Sequence, residues 1–157
     1  MASGIRRRFK GMFPSTGSLH DLWNQLGHLA AAYILTVGIG WESERESHTA
    51  GVRTFPIVGM ASCGYILLLG PTADPAAQSR LLQGLITGIG FIGGGAILKE
   101  GATVKGTATA ASVWNAAVIG AAIAMNQFGI GVALAVLNLF TLHVLLPLKK
   151  RLNGVDR

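Results

Sequence analysis

The chain has 157 residues, enough for one domain, and is 50% hydrophobic but only 13% charged, with a positive mean hydropathy. That composition lies outside the range of ordinary water-soluble domains and points to a lipid environment. The net charge of +6 does not indicate a nucleic-acid surface, because the basic residues sit at the two ends and in short loops without interleaved aromatics.

Residues 1–21 read as a basic tail. Its IRRRFK run is followed by GMFPSTGSLHD, which is polar and turn-forming, so the tail lacks the apolar core of a secretory leader and no cleavage is expected. Ile5, Phe9, Met12 and Phe13 alternate with Arg6, Arg7, Arg8 and Lys10. Two readings fit them, a short amphipathic segment on an anionic membrane surface and a plain disordered basic tail.

Five apolar segments follow, at 22–41, 55–70, 81–98, 107–125 and 128–148. Each approaches the roughly 17–25 residues of a spanning helix once flanking residues are included. The expected architecture is an all-α integral membrane protein, with about five transmembrane helices in a compact glycine-rich bundle over 22–148 and a short basic tail at 149–157. The second segment is the shortest and opens on Thr54-Phe55-Pro56, an N-cap with early proline. Its Cys63 can form no disulfide within the chain and reads as a small packing residue.

The third segment is apolar yet holds Gly84, Gly88, Gly90, Gly93, Gly94 and Gly95. In water each would cost a helix about 1 kcal/mol relative to alanine. In lipid the backbone has no other hydrogen-bond partners, and the GxxxG pairs Gly84/Gly88 and Gly90/Gly94 let helices approach closely. Asp74-Pro75 supplies the N-cap and first-turn proline of a helix running to about residue 98, which spans about 36 Å at 1.5 Å per residue. The sequence therefore predicts this helix as the buried centre of the bundle, with glycine faces that also favour a homo-oligomer. Residues 99–106 form a charged turn, and Thr107 or Thr109 opens the fourth helix, in which Thr109, Ser112 and Asn115 make a polar stripe facing the glycine-rich helix. In the fifth segment Asn138 and His143 are the polar interruptions.

An odd number of spans puts the termini on opposite sides. One side carries five Lys and Arg residues, Arg80 among them, and the other eight, including Arg45, Arg53, Lys99 and Lys105. The excess of positive charge predicts a cytoplasmic C-terminus.

Glu42, Glu44 and Glu46 crowd the negative end of the first helix's dipole, where cations are preferred. Local rules broken without structural gain often mark function. Glu42 and Arg53 are therefore the leading candidate site, as a cation or partner site at the membrane edge or as an ion pair that locks topology. Asp74 and Arg80 form a second acid–base pair at the opposite face, with Asp74 read mainly as a cap. The apolar runs hold no carboxylate, which weighs against a dedicated ion pathway. No catalytic arrangement is present, no cofactor is indicated, no metal is assigned, and GIGFIGGG lacks the preceding strand of a dinucleotide site.

Three separated motifs resemble the MgtC/SapB family of bacterial inner-membrane proteins. GIGFIGGGAIL followed by GTATAASVW, which includes Trp114, is similar to that family's GIGFLGAGxI and GLTTAAxxW. IGWESERESHTAGVRT is similar to its IGxER and AGLRT with the same spacing, and Arg80 stands where the family has an arginine leading into GIGF. Departures are Ser43 where an arginine usually follows the glutamate, Gly94 for alanine, and Thr107-Ala108 for Leu-Thr. The sequence is also expected to lack the cytosolic regulatory domain carried by many members.

The resemblance implies a regulatory protein of the inner membrane, not an enzyme, used in adaptation to low magnesium, acid or host-cell stress including virulence. It implies action in the lipid bilayer through helix–helix contacts with other membrane proteins such as the ATP synthase or a transporter, with no nucleic acid. The rival it leaves open is a transporter or channel for Mg²⁺ or another cation.

Overall fold

A computed structural model describes residues 18–47, 50–70 and 74–145. Among these it shows helices α1 (Leu19–Ser47), α2 (Thr54–Leu69), α3 (Pro75–Gly95), α4 (Thr107–Ala124) and α5 (Phe128–Phe140), with a β-hairpin of β1 (Leu98–Glu100) and β2 (Thr103–Lys105) between α3 and α4. Each of the five apolar segments coincides with one helix. The basic N-terminal tail, the end of the fifth segment beyond residue 145 and the C-terminal tail lie outside the described residues.

Local chemistry sets the helix ends. Ser18 and Asp21 form a reciprocal capping box: the Asp21 carboxylate accepts from the Ser18 amide at 2.9 Å and hydroxyl at 3.0 Å, and the Ser18 hydroxyl accepts from the Asp21 amide at 3.3 Å. This starts α1 earlier than its apolar run. At the other end α1 continues through Ser47, so the three glutamates lie within its closing turns. In α2 the expected Thr54 cap is displaced by one residue: the Gly51 carbonyl accepts from the Thr54 amide at 3.0 Å, and no side chain caps the helix. Asp74 caps α3 as expected, accepting from the Ala76 amide at 3.4 Å with Pro75 in the first turn.

The glycine-rich α3 stops at Gly95, short of residue 98. The Gly93 and Gly94 carbonyls accept from the amides of Ala96 and Ile97, each at 3.1 Å. The chain then reverses through the hairpin, in which Leu98 pairs with Lys105 and the Lys105 ammonium meets the Glu100 carboxylate at 2.6 Å. Gly106 enters α4 at φ 83°, where a Cβ would collide with the Ala96 carbonyl, so glycine is required by both conformation and space.

The centre of the bundle is α4, not α3. α4 touches each of the other four helices, and its Val113, Ala116, Ile119 and Ile123 are fully enclosed. α3 buries only Ile89 and Gly93 along its length and touches α2 lightly. The glycines at tight contacts are accordingly elsewhere. A Cβ on Gly120 would overlap the Gly59 carbonyl and sit 3.1 Å from the Cys63 amide; one on Gly59 would lie 2.8 Å from the Thr36 hydroxyl; one on Gly131 would lie 2.9 Å from the end of Ile123. Added Cβ atoms on Gly84, Gly88, Gly90, Gly94 and Gly95 would meet nothing within 4 Å, and only Gly93 approaches a neighbour, the Ala110 carbonyl at 3.2 Å. The physical reason is that the alanine-rich α4, with Gly120 at its closest contact, offers a narrow cylinder, whereas α3 mixes its glycines with Leu, Ile and Phe. Cys63 is fully buried, in keeping with a packing role.

Large apolar side chains cover the outside of the bundle on every helix. Trp23 is 73% exposed, Leu68 78%, Phe91 86% and Leu137 61%. Among the described residues two helical stretches, Thr107–Ala124 and Phe128–Leu145, are long and apolar enough to cross a membrane, and α2 is a shorter apolar helix. Gly120→Val should therefore abolish stable accumulation or lower the melting temperature in detergent sharply, by overpacking worth about 1–3 kcal/mol or more. Gly90→Val, facing open space, should leave both unchanged; equal behaviour of the two variants would contradict the assignment of α4 as the core.

Candidate functional site

The two ends of the bundle differ in character. At one end lie the close of α1, the 50–53 loop, the hairpin and the π-helical turn Thr141–Leu145 that continues α5; the other holds the start of α1, the close of α2 and the α4–α5 turn. The motif residues Glu42, Ser43, Arg53 and Thr109 gather at the first of these ends.

Glu42 keeps 17% of its side-chain surface exposed and is held from two elements. Its Oε2 lies 3.6 Å from Arg45 Nη1 on the next turn of α1, and its Oε1 lies 3.3 Å from His143 Nδ1 on the π-helical turn. Arg53 is exposed and makes no ion pair among the described residues, so the structure does not bring it to Glu42. The loop instead folds back through Glu44, whose Oε2 accepts from the Val52 amide at 2.7 Å, and Gly51 lies so close to the Glu44 side chain that a Cβ there would collide with it. Arg45 and His143 were the partners missed by sequence reasoning. The Glu–Arg spacing of i,i+3 on one helix was a usable signal for Arg45, but nothing local links residue 143 to residue 42.

Beneath this rim runs a buried polar seam. Ser43 is 1% exposed; its hydroxyl donates to the Ala50 carbonyl at 3.0 Å and is hydrogen-bonded with the Thr109 hydroxyl at 3.3 Å, tying α1, the loop and α4 together. One turn further along α4, the Ser112 hydroxyl donates to Asn138 Oδ1 at 2.8 Å, and Asn115 Nδ2 donates to the Leu134 carbonyl at 3.3 Å. The polar stripe thus faces α1 and α5, not the glycine-rich α3. Asn138 Nδ2 is buried without a partner among the described residues. Turning the amide over would only move the orphan to its oxygen.

The remaining predicted residues are separated from this end. Trp114 is exposed on the outward side of α4, Asp74 caps α3 at the opposite end, and Arg80 is exposed on that same helix, six residues on, with no contact to Asp74 among the described residues. No group of three His, Cys, Asp or Glu side chains able to hold a metal forms among the described residues.

The order of motifs along this end has a counterpart in known proteins. The sequence profile of the MgtC family matches residues 29–151. The chain belongs to the MgtC family. It is 33% identical over 132 residues to an uncharacterised protein of Synechocystis, covering 83% of this chain and 56% of that protein. It is 33% identical to the protein MgtC of Salmonella typhimurium over 126 residues, covering 80% of this chain and 54% of that protein, and 33% identical over 103 residues to protein MgtC of Brucella abortus, covering 63% and 43%. The chain thus spans about half the length of the curated relatives it matches. No solved structure matches it.

The seam yields a prediction that separates its two members. Ser112→Ala removes the one partner of the Asn138 side chain and leaves both of its polar ends unpaired, so it should destabilise the protein by about 1–3 kcal/mol. Asn138→Leu removes the orphan, and the Ser112 hydroxyl can then bond its own helix as Ser62 and Thr36 do, at 2.8 and 2.6 Å. Thermal unfolding in detergent should show Asn138→Leu at least as stable as the parent; a larger loss for it than for Ser112→Ala would refute this account of the seam.

Proposed function

We propose that this MgtC-family chain is a multi-pass protein of the bacterial inner membrane, with its C-terminus in the cytoplasm, that acts as a regulatory adaptor in adaptation to low magnesium, acid or host-cell stress. The membrane reading is supported by the apolar exterior, since a surface covered by large apolar side chains on all sides would be a severe liability in water. The orientation is supported by the lysines and arginines of the hairpin and the α1–α2 edge, which share one end with Glu42.

The observation that carries the regulatory reading is the setting of Glu42. It stands at the rim, clasped by Arg45 and His143 and still reachable, while the interior polar groups are hydroxyls and amides that mostly satisfy one another. Among the described residues the one orphan is the amide nitrogen of Asn138. A cation path would be expected to carry an acid through the bundle. Here the acid is at the edge, where a partner membrane protein, such as the ATP synthase or a transporter, can reach it.

Two measurements test this. Glu42→Gln should accumulate in the membrane as the parent does yet fail to restore growth in low magnesium, whereas Arg53→Gln should have the smaller effect. The parent protein in proteoliposomes should carry no Mg²⁺ flux; protein-dependent flux would replace the adaptor reading by a transporter. A reporter fused to the C-terminus should be active in the cytoplasm, and activity confined to the periplasm would invert the topology.

A further inference from the structure

The weak contact between α2 and α3 leaves a groove of about 480 Å³ along the outside of the bundle. One wall is the Ile57, Ala61 and Tyr65 face of α2, the other the Leu81, Leu85 and Ile92 face of α3, and Val58, Ser62 and Ile89 lie buried beneath. The groove owes its width to Gly84 and Gly88, where side chains would otherwise stand. Its one buried hydroxyl, on Ser62, already donates to the Val58 carbonyl at 2.8 Å, so the floor asks for no polar partner. The single charge on its lining is Arg80, exposed and without an ion pair or hydrogen bond among the described residues.

We propose that this groove seats one acyl chain of an anionic phospholipid, with the lipid phosphate held by the Arg80 guanidinium. The inference rests on the membrane reading above and adds a ligand to it. Size and charge select the occupant. From Arg80 to Ile92 the groove runs twelve residues along α3, about 18 Å at 1.5 Å per residue. Half of a bilayer's hydrocarbon core is about 15 Å, so the groove matches one leaflet, whereas a helix of a second copy crossing the membrane would need about twice that length. α2 and α3 run antiparallel through a short connection, which sets Tyr65 at the Arg80 end. A guanidinium and a phenol at one end of an apolar channel reproduce the order of a phospholipid, in which a phosphate diester sits over a hydrocarbon chain. Arginine binds that phosphate through two parallel hydrogen bonds, and tyrosine is at home at the headgroup level. The anion is required because an unpaired cation beside lipid gains little from a zwitterionic headgroup whose own ammonium competes for the phosphate.

Native mass spectrometry of the full chain in mild detergent, with phosphatidylglycerol and phosphatidylethanolamine added in equal amounts, tests the assignment. The parent should retain phosphatidylglycerol in preference. Arg80→Gln should lower that preference by about tenfold or more, the loss expected when a charge-assisted pair is removed, while Gly88→Leu should displace both lipids by filling the channel. Undiminished preference in Arg80→Gln overturns the proposal, and that variant decides alone if Gly88→Leu does not accumulate. Gly84→Cys in native membranes reports the other occupant: Cys63 is buried, so a disulfide-linked dimer through residue 84 would assign the groove to a second copy and overturn the lipid. Extraction of the parent from membranes by alkaline carbonate, without detergent, would instead defeat the membrane reading itself.

Discussion

Everything in this fold depends on how close α4 lets its neighbours come. Gly120 lies against the backbone of α2 at Gly59 and Cys63, Gly59 in turn admits Thr36 of α1, and Gly131 of α5 receives the tip of Ile123. These contacts bring α1, α2 and α5 into register about one narrow rod, α4, rich in Ala with Gly, Ser and Ile. In lipid no hydrophobic gain separates a buried Leu from an exposed one, so helices associate through close backbone approach and dispersion. A centre built of small residues follows, and the bulky side chains are left to face outward, as Trp23, Phe91 and Leu137 do.

The same closeness disciplines the polar groups. Thr36, Ser62, Thr87 and Thr141 each donate to a carbonyl one turn back on their own helix, at 2.6 to 2.9 Å, and so need nothing from a neighbour. Ser43, Thr109, Ser112 and Asn115 differ in bonding across elements, and they lie along the α1–α4–α5 seam that leads inward from the rim. Interhelical bonds of this kind fix rotation and register more than they add stability, since the alternative in lipid is the self-bonded state the other hydroxyls already adopt. The seam therefore sets where Glu42 and His143 stand relative to each other.

Helix number, the Asp74 cap, the opening of α4 at Thr107, one of two starts the sequence offered, and the charged turn after α3 were legible in the sequence, because each is dictated by residues within one or two turns. The identity of the central helix was not. GxxxG spacing in α3 signals that close approach is possible, but not whether a partner within the chain uses it, and in α4 the single Gly120 matters more because Gly59 opposes it. The Glu42 end was legible as a rule broken at a helix terminus. Its partner was misassigned because Arg53 is near in sequence whereas His143 is 101 residues away, and only the return of α5 brings it back.

Ser43 shows how this chain accommodates its departure from the pattern it resembles, in which an arginine directly follows the glutamate. Position 43 here is 1% exposed and sealed between the Ala50 carbonyl and Thr109. A charge buried there would cost several kcal/mol, to order of magnitude, unless it were paired. A hydroxyl fits, bonds both neighbours and closes the loop on α4. The cation that Glu42 needs at the negative end of the α1 dipole comes instead from Arg45, one turn on and exposed, where it keeps its hydration. Ser43 thus holds the helices together, and Arg45 holds the charge. Glu42 is then left with one partner on its own helix and one, His143, on another, so that any motion of α5 against α1 acts directly on the half-buried carboxylate.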